Sequence, residues 1–130
     1  MAFYLYSNTG GHVPSISYLP CSAITPKMGM AMVQSSGNLA AASGTNKPTY
    51  ICMTERKSAC TAGDLIPVIR VSSDMVFDTT ASAALTSVNL GDKVTLSADG
   101  MQVTATTTGG IAEIVWQEAQ TEGSHVHVRF

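Results

Sequence analysis

The stretch KVTLSADGMQVTAT, residues 93–106, carries the strongest local folding signal in the chain. Polar and apolar residues alternate through residues 93–96, and they alternate again through residues 101–106. Alternation with a period of two places the apolar side chains on one face of a strand. The dipeptide Asp99-Gly100 between the two segments is typical of a tight hairpin turn, because both residue types tolerate positive φ angles. We therefore predict two antiparallel strands joined at this turn.

Short apolar segments separated by turn residues continue in both directions from this hairpin. Ser36-Gly37 separates two further segments that form a second predicted hairpin, and residues 111–116 and 125–130 complete a predicted meander. In residues 125–130 the two valines share one face and the two histidines the other. Many short strands at regular spacing predict an all-β fold. That fold is either a small antiparallel β-barrel or a β-sandwich, because the alternation is the same in both.

The first 26 residues differ from the rest of the chain. Prolines recur in them at regular intervals and a glycine pair interrupts any early strand; these residues are Gly10, Gly11, Pro14, Pro20 and Pro26. Because proline fixes φ and has no N–H donor, such a stretch pairs poorly along its length. We expect residues 1–26 to form an extended N-terminal arm, with one short strand at 16–19. Residues 27–130 are then the β-barrel domain.

Half of the aromatic residues of the chain lie in this arm, namely Phe3, Tyr4, Tyr6 and Tyr18. An exposed arm of this composition needs a partner surface, so these four residues are the predicted partner contacts. The alternative is that the arm folds back over its own barrel and buries the rings. If the arm is separate, deleting residues 1–20 leaves a folded barrel and weakens attachment or trimer formation. Failure of the truncated chain to fold would make the arm part of the core.

Composition and charge argue against several classes of partner. Of the 130 residues, 45% are apolar and 12% are charged, and the formal net charge is −2. The seven Lys and Arg residues are spread thinly, so no basic stripe could neutralise a row of phosphates, and we expect no nucleic acid partner. The opening residues lack a basic segment and a long apolar run, and no segment approaches the length of a membrane span. We expect synthesis in a cytoplasm and no membrane partner.

Few residues of the chain could support catalysis. An odd number of cysteines without metal-binding spacing is typical of free thiols in a reducing compartment; they are Cys21, Cys52 and Cys60. A pair of Cys52 or Cys60 with His125 has no supporting motif. Asp74 and Asp78 would face the same side of a short strand, but such residues usually cap turns. No phosphate-binding glycine motif occurs. We therefore expect no catalytic residue, no cofactor and no enzymatic activity.

The histidines offer only a weak indication of metal binding. Besides His12, the chain contains His125 and His127, which would share one face of a strand with Glu113 or Glu118 on a neighbouring strand. Two imidazoles alone are not a metal site, so we interpret these histidines as solvent-facing and predict no metal. Replacing both by alanine should then change thermal stability little. A stoichiometric metal ion in the purified protein would instead indicate a metal-dependent hydrolase.

Glycine-containing and apolar segments recur through roughly residues 27–130 in an order that resembles a known family. The segments are Gly29-Met30-Ala31-Met32-Val33, Ser36-Gly37-Asn38-Leu39-Ala40, Lys47-Pro48-Thr49-Tyr50-Ile51, Ile66-Pro67-Val68-Ile69-Arg70-Val71, Val88-Asn89-Leu90-Gly91-Asp92-Lys93-Val94, Ala98-Asp99-Gly100, Gly110-Ile111-Ala112-Glu113-Ile114-Val115 and Val126-His127-Val128-Arg129-Phe130. Together they resemble the small β-barrel decoration (cement) proteins of tailed-bacteriophage heads. The Pro-spaced N-terminal stretch does not match that pattern.

This resemblance implies a structural virion protein with no enzymatic activity, located on the capsid surface after synthesis in the host cytoplasm. Members of the family commonly form homotrimers at three-fold positions of the shell. They bridge neighbouring subunits and resist the pressure of the packaged DNA. The partner that the resemblance implies is the phage major capsid protein.

The alternative function is a carbohydrate- or receptor-binding β-domain of a phage tail or fibre. A glycan site needs exposed Trp or Tyr rings near carboxylates or amides. The single tryptophan, Trp116, lies in the apolar segment 111–116, close to Glu118, and we interpret it as a core residue. Exposed aromatic rings beside carboxylates or amides would therefore favour the glycan-binding alternative.

Overall fold

The computed structural model describes residues 2–11 and 13–130, which contain ten strands and no helix. The strands are β1 (Tyr4–Asn8), β2 (Ile16–Pro20), β3 (Ala31–Ser35), β4 (Asn38–Ala41), β5 (Tyr50–Cys52), β6 (Leu65–Arg70), β7 (Met75–Thr80), β8 (Lys93–Val94), β9 (Ala112–Gln117) and β10 (His125–Arg129). Sheet A has the order β1-β7-β10-β9-β8, and sheet B has the order β2-β6-β5-β3-β4. All strand pairs within them are antiparallel. The sheets do not close into a barrel, so the all-β prediction is confirmed in its sandwich form.

The main core lies between the two sheets. Ile51 and Ile69 of sheet B belong to one buried cluster with Phe77, Ile114 and Val128 of sheet A. Along β7 and β10 every second residue is buried, as the period-two pattern predicts. Burying one such side chain contributes roughly 1.5–3 kcal/mol, so this alternation decides which face of each strand points inward.

The middle of sheet B is buried on both faces. Met32, Cys52 and Val68 alternate along their strands with residues of the main core, and they belong to a second buried cluster. Cys21 and Cys60, which lie outside the strands, pack into the same cluster. All three thiols are free and buried there, as expected for small apolar side chains.

One predicted hairpin is present in full and the other only in part. β3 and β4 pair across Ser36-Gly37, whose φ angles of 52° and 84° are the combination of a type I′ turn. Around Asp99-Gly100 only Leu96 and Val103 pair, in an isolated antiparallel bridge; residues 101–106 form no strand, and β8 pairs with β9 instead. A Cβ atom on this second glycine would lie 2.8 Å from the carbonyl oxygen of Ala31, so the turn also packs closely against β3.

The first 26 residues form part of the sandwich, which corrects the expectation of an extended arm. β1 pairs with β7 as one edge of sheet A, and β2 pairs with β6 as one edge of sheet B. The prolines permit this pairing because Pro14 precedes β2 and Pro20 is its last residue. The N–H of Phe3 donates to the carbonyl of Gly29 over 2.8 Å, and the Phe3 side chain is buried. The alternative, in which this stretch folds back and buries its rings, is therefore confirmed for the backbone and for Phe3, whereas Tyr4, Tyr6 and Tyr18 remain exposed.

Candidate functional site

The outer face of sheet A, turned away from the main core, carries a carboxylate, two imidazoles and aromatic rings in contact. On β7 and β10 the residues that alternate with the core are Asp78, His125 and His127. His127 pairs with Asp78 across these strands, and His125 pairs with Thr80. Both histidines therefore lie on the outer face as predicted, but only His125 is solvent-facing, because the His127 side chain is 15% exposed.

Trp116 also lies on this outer face, so its interpretation as a core residue is wrong. The register between β10 and β9 shifts by one residue, since His127 pairs with Trp116 while Val128 pairs with Ile114. The extra residue, Val115, is a β-bulge, and a bulge reverses the inward and outward alternation of the strand beyond it. Trp116 therefore faces solvent and is 44% exposed.

Three rings from three strands make contact across this face. The ring centroid of His127 lies 4.0 Å from that of Tyr6 and 4.5 Å from that of Trp116. Tyr6 is itself the extra residue of a register shift, in β1, because Leu5 and Ser7 pair with consecutive residues of β7. We call Tyr6, His127 and Trp116 the aromatic row.

One carboxylate connects the aromatic row to the second histidine. An oxygen of Asp78 lies 3.1 Å from Nδ1 of His125, and the other lies 3.4 Å from Nε2 of His127. The backbone N–H of His125 donates to the Glu118 carboxylate over 3.2 Å. In the described part of the chain, no group of three or more His, Cys, Asp or Glu side chains could hold a metal ion. The carboxylate that contacts both imidazoles is thus that of Asp78, and not that of Glu113 or Glu118, the residues that a metal site would have needed.

The charged residues beside the aromatic row alternate in sign. Glu113 on β9 pairs with Lys93 of β8 on one side and with Arg129 of β10 on the other. Cross-strand neighbours of opposite charge stabilise a sheet modestly. This end of the face therefore combines cations with a carboxylate between them and is not a uniformly basic patch.

A second exposed surface lies on strands β2 and β6 of sheet B and is apolar. Its residues share one face of β2 and β6 through the pairs Tyr18 with Pro67 and Pro20 with Leu65. Ile16 and Tyr18 are more than half exposed, as is Leu65. None of these side chains is charged. We call the set the β2–β6 apolar face; it consists of Ile16, Tyr18, Pro20, Leu65 and Pro67.

The four predicted partner contacts do not lie together. Tyr4 and Tyr6 are exposed on β1, at the edge of sheet A, and Tyr18 is exposed on the β2–β6 apolar face. Phe3 is 1% exposed, and its ring centroid lies 5.5 Å from that of Phe130 in the core. This corrects the expectation for Phe3, which stabilises its own chain and is not accessible to a partner.

The remaining chemical candidates are dispersed. Cys52 and Cys60 pack in the second cluster, on the far face of sheet B, whereas His125 lies on the outer face of sheet A, so they form no catalytic pair. Burial raises the pKa of the Cys21 thiol to about 12, and burial also raises that of Cys52. The Asp74 carboxylate accepts hydrogen bonds from the Ser72 hydroxyl and the Gly10 N–H, as a turn-capping residue does. His12 lies outside the described residues.

Sequence reasoning missed two exposed residues, Trp116 and Leu65. Trp116 follows a bulge, and nothing in residues 111–116 marks Val115 as an extra residue. Leu65 belongs to an apolar segment, so the sequence pattern does not distinguish it from its buried neighbours. In the structure it pairs with Pro20, the last residue of β2, and is exposed.

A scan against protein-family models finds no match for this chain, and a search of curated proteins finds none either. Among the described residues, no helix is long and apolar enough to cross a membrane.

Proposed function

We propose that this chain is a capsid decoration protein, which binds the outer face of a phage head and stabilises contacts between major capsid subunits. In this proposal it acts without catalysis or a cofactor, and it reaches the virion surface after synthesis in the host cytoplasm. The observation that carries the proposal is the β2–β6 apolar face. The sequence also supports the proposal, because segments within residues 27–130 resemble those of the phage-head decoration proteins.

The β2–β6 apolar face has the composition of a protein-binding surface. Tyr18 is 66% exposed and Leu65 is 58% exposed, and they lie on neighbouring strands of the same face. Contiguous exposed apolar side chains of this kind mark sites of protein association. Removing the exposed part of each from water would contribute roughly 1–2 kcal/mol, on the scale of 25 cal/mol per Å². A partner surface therefore gains affinity without any charged contact.

The backbone of β2 offers a second means of attachment. The carbonyl of Pro67 accepts a hydrogen bond from the N–H of Met53, on the β5 side of β6. The backbone groups of Pro67 therefore point away from its cross-strand partner, Tyr18. In an antiparallel pair of this type, the N–H and C=O of the partner also point away, here toward the side of β2 opposite β6. The end of β2 is bridged to β4 on that side through Cys21 and Leu39, so an extended segment of a shell subunit would pair with β2 only at Tyr18 and the residues before it.

The proposal includes assembly as a homotrimer on the shell. Three copies held together need little affinity at each contact, because the later binding events are intramolecular. Light scattering over a range of concentrations tests the oligomeric state directly. A trimer near three times 13.6 kDa agrees with the proposal. A strict monomer at every concentration would restrict trimers to those that assemble on the shell.

The experiment that tests the function is co-sedimentation with phage heads assembled without this protein. We expect saturable binding by the wild-type chain and at least tenfold weaker binding by Leu65→Asp. The matched control is Leu90→Asp, because Leu90 is similarly exposed but lies outside the β2–β6 apolar face. Absence of wild-type binding would contradict decoration. Equal binding by both variants would show that attachment does not use this face.

A further inference from the structure

We propose that the aromatic row on sheet A is a saccharide-binding site, a function separate from attachment through the β2–β6 apolar face. The ligand class is a neutral pyranose unit of a glycan. A sugar ring presents C–H groups on one side and hydroxyl groups around its rim. Recognition therefore needs an exposed aromatic ring beside hydrogen-bonding groups, and both are present on this face.

The rings of the row are available to a ligand. Trp116 is 44% exposed and Tyr6 is 63% exposed, so neither side chain is buried in the core. A large aromatic side chain held in water contributes little to folding, and clusters of such residues mark binding surfaces.

The row is also ordered before any ligand arrives. The His127 side chain is only 15% exposed, and its ring contacts both Tyr6 and Trp116. His127 therefore restricts the rotation of the two flanking rings. Rings that are already restricted lose less conformational entropy on binding, which favours weak ligands such as sugars.

The polar groups next to the rings match sugar hydroxyls. Asp78 lies beside His127, and a carboxylate accepts hydrogen bonds through lone pairs on both oxygens. The imidazole of His125 is 56% exposed, and Glu118 is exposed beside it. The faces of Tyr and Trp rings carry negative partial charge and attract the positively polarised C–H groups of a pyranose.

A neutral saccharide suits this face better than a cationic ligand. The Asp78 carboxylate contacts the imidazoles of both His125 and His127, so it is only partly available to attract a cation. Accepting a hydrogen bond from a hydroxyl group needs no net charge. The rings also form a row across three strands rather than the enclosed cage that quaternary ammonium groups require.

The test uses the fact that Trp116 is the only tryptophan in the chain. The full chain, biotinylated and assembled on streptavidin, is applied to an array of neutral and acidic glycans, since multivalent display compensates for weak single-site affinity. Glycans that bind are then titrated as free oligosaccharides while the tryptophan emission is recorded. We expect a saturable blue shift, because stacking of a sugar removes water from the indole ring.

Matched variants decide whether the row is the site. We expect Trp116→Ala and Tyr6→Ala to lower array binding at least tenfold while circular dichroism shows an unchanged fold. The control is Tyr18→Ala, an equally exposed tyrosine on the other surface, which should bind within twofold of wild type. Absence of any bound glycan, or equal binding by Trp116→Ala, would overturn the proposal. Saturation by choline or trimethyllysine, and by no saccharide, would overturn the ligand class.

Discussion

Replacing Phe3 by alanine tests whether the N-terminal strand is part of the core. Phe3 is 1% exposed, and its ring packs against Phe130 at a centroid separation of 5.5 Å. It belongs to the same buried cluster as Phe77. Truncation would leave a cavity among well-packed residues and remove the hydrophobic contribution of a whole aromatic ring.

The size of the effect follows from these contacts. Replacing a buried Phe by Ala typically costs about 3–5 kcal/mol, and the full burial of Phe3 places it within that range. For a domain of this size each kcal/mol shifts Tm by about 4 °C, so we expect Tm to fall by about 12–20 °C. Because many domains have only about 5–15 kcal/mol of total stability, the variant should be close to unfolding at 37 °C.

The assay is guanidinium unfolding followed by circular dichroism, with Tyr4→Ala as control. Tyr4 is the next residue, but it is 54% exposed, so its replacement should cost less than about 1 kcal/mol. A loss below about 1 kcal/mol for Phe3→Ala would refute the docked strand and restore the separate arm. Deletion of residues 1–20, which would remove Phe3 and both edge strands, should now abolish cooperative unfolding rather than leave a folded barrel.

Four single-residue variants test individual features of the structure. Gly110→Ala should destabilise the fold by at least about 2 kcal/mol in denaturant unfolding, because its Cβ would lie 2.1 Å from the Lys93 carbonyl oxygen; a neutral effect would contradict this close approach. The pKa of Cys21 is raised from 9.0 to about 12, so between these pH values the unfolded state loses the thiol proton while the folded state keeps it. The free energy of unfolding should therefore fall as the pH rises from 9.0 to about 12. Cys21→Ser should make the free energy of unfolding less dependent on pH in this range. His125→Ala should cost less than about 0.5 kcal/mol, because the imidazole is 56% exposed. His127→Ala should cost about 1–2 kcal/mol, since this ring is mostly buried between two others; equal Tm values for the two variants would disprove the difference.

Local signals were sufficient to predict both turns, but not all of the strands beside them. β3 and β4 pair across Ser36-Gly37 as predicted, whereas the strand predicted after Asp99-Gly100 is reduced to a bridge at Val103. The faces of β10 could also be predicted, because two inward valines alternate with two outward histidines. Periodicity decides such features within a few residues, so no knowledge of distant partners is needed.

Features that depend on distant pairing could not be predicted. The exposure of Trp116 depends on the bulge at Val115, which exists only in the register between β9 and β10. The burial of Phe3 depends on a hydrogen bond to Gly29 and on packing against Phe130. The short strand predicted at 16–19 is confirmed as β2, but proline spacing did not indicate β1 or the pairing of either strand with sheet A or sheet B.

The strand order of sheet A has a consequence for the time at which the chain becomes able to bind. β10 follows the other nine strands in sequence, yet it is the middle strand of sheet A. β1 comes first in sequence, but it can pair only after β7 has been synthesised. Topologies dominated by such distant pairings fold slowly, because long loops must close before any contact compensates for the lost entropy. Tyr6, Trp116 and His127 come from β1, β9 and β10, so their row forms only after His127 has been synthesised. A nascent or truncated chain that stops before β10 would therefore lack this surface, and binding through it would indicate that sheet A has folded.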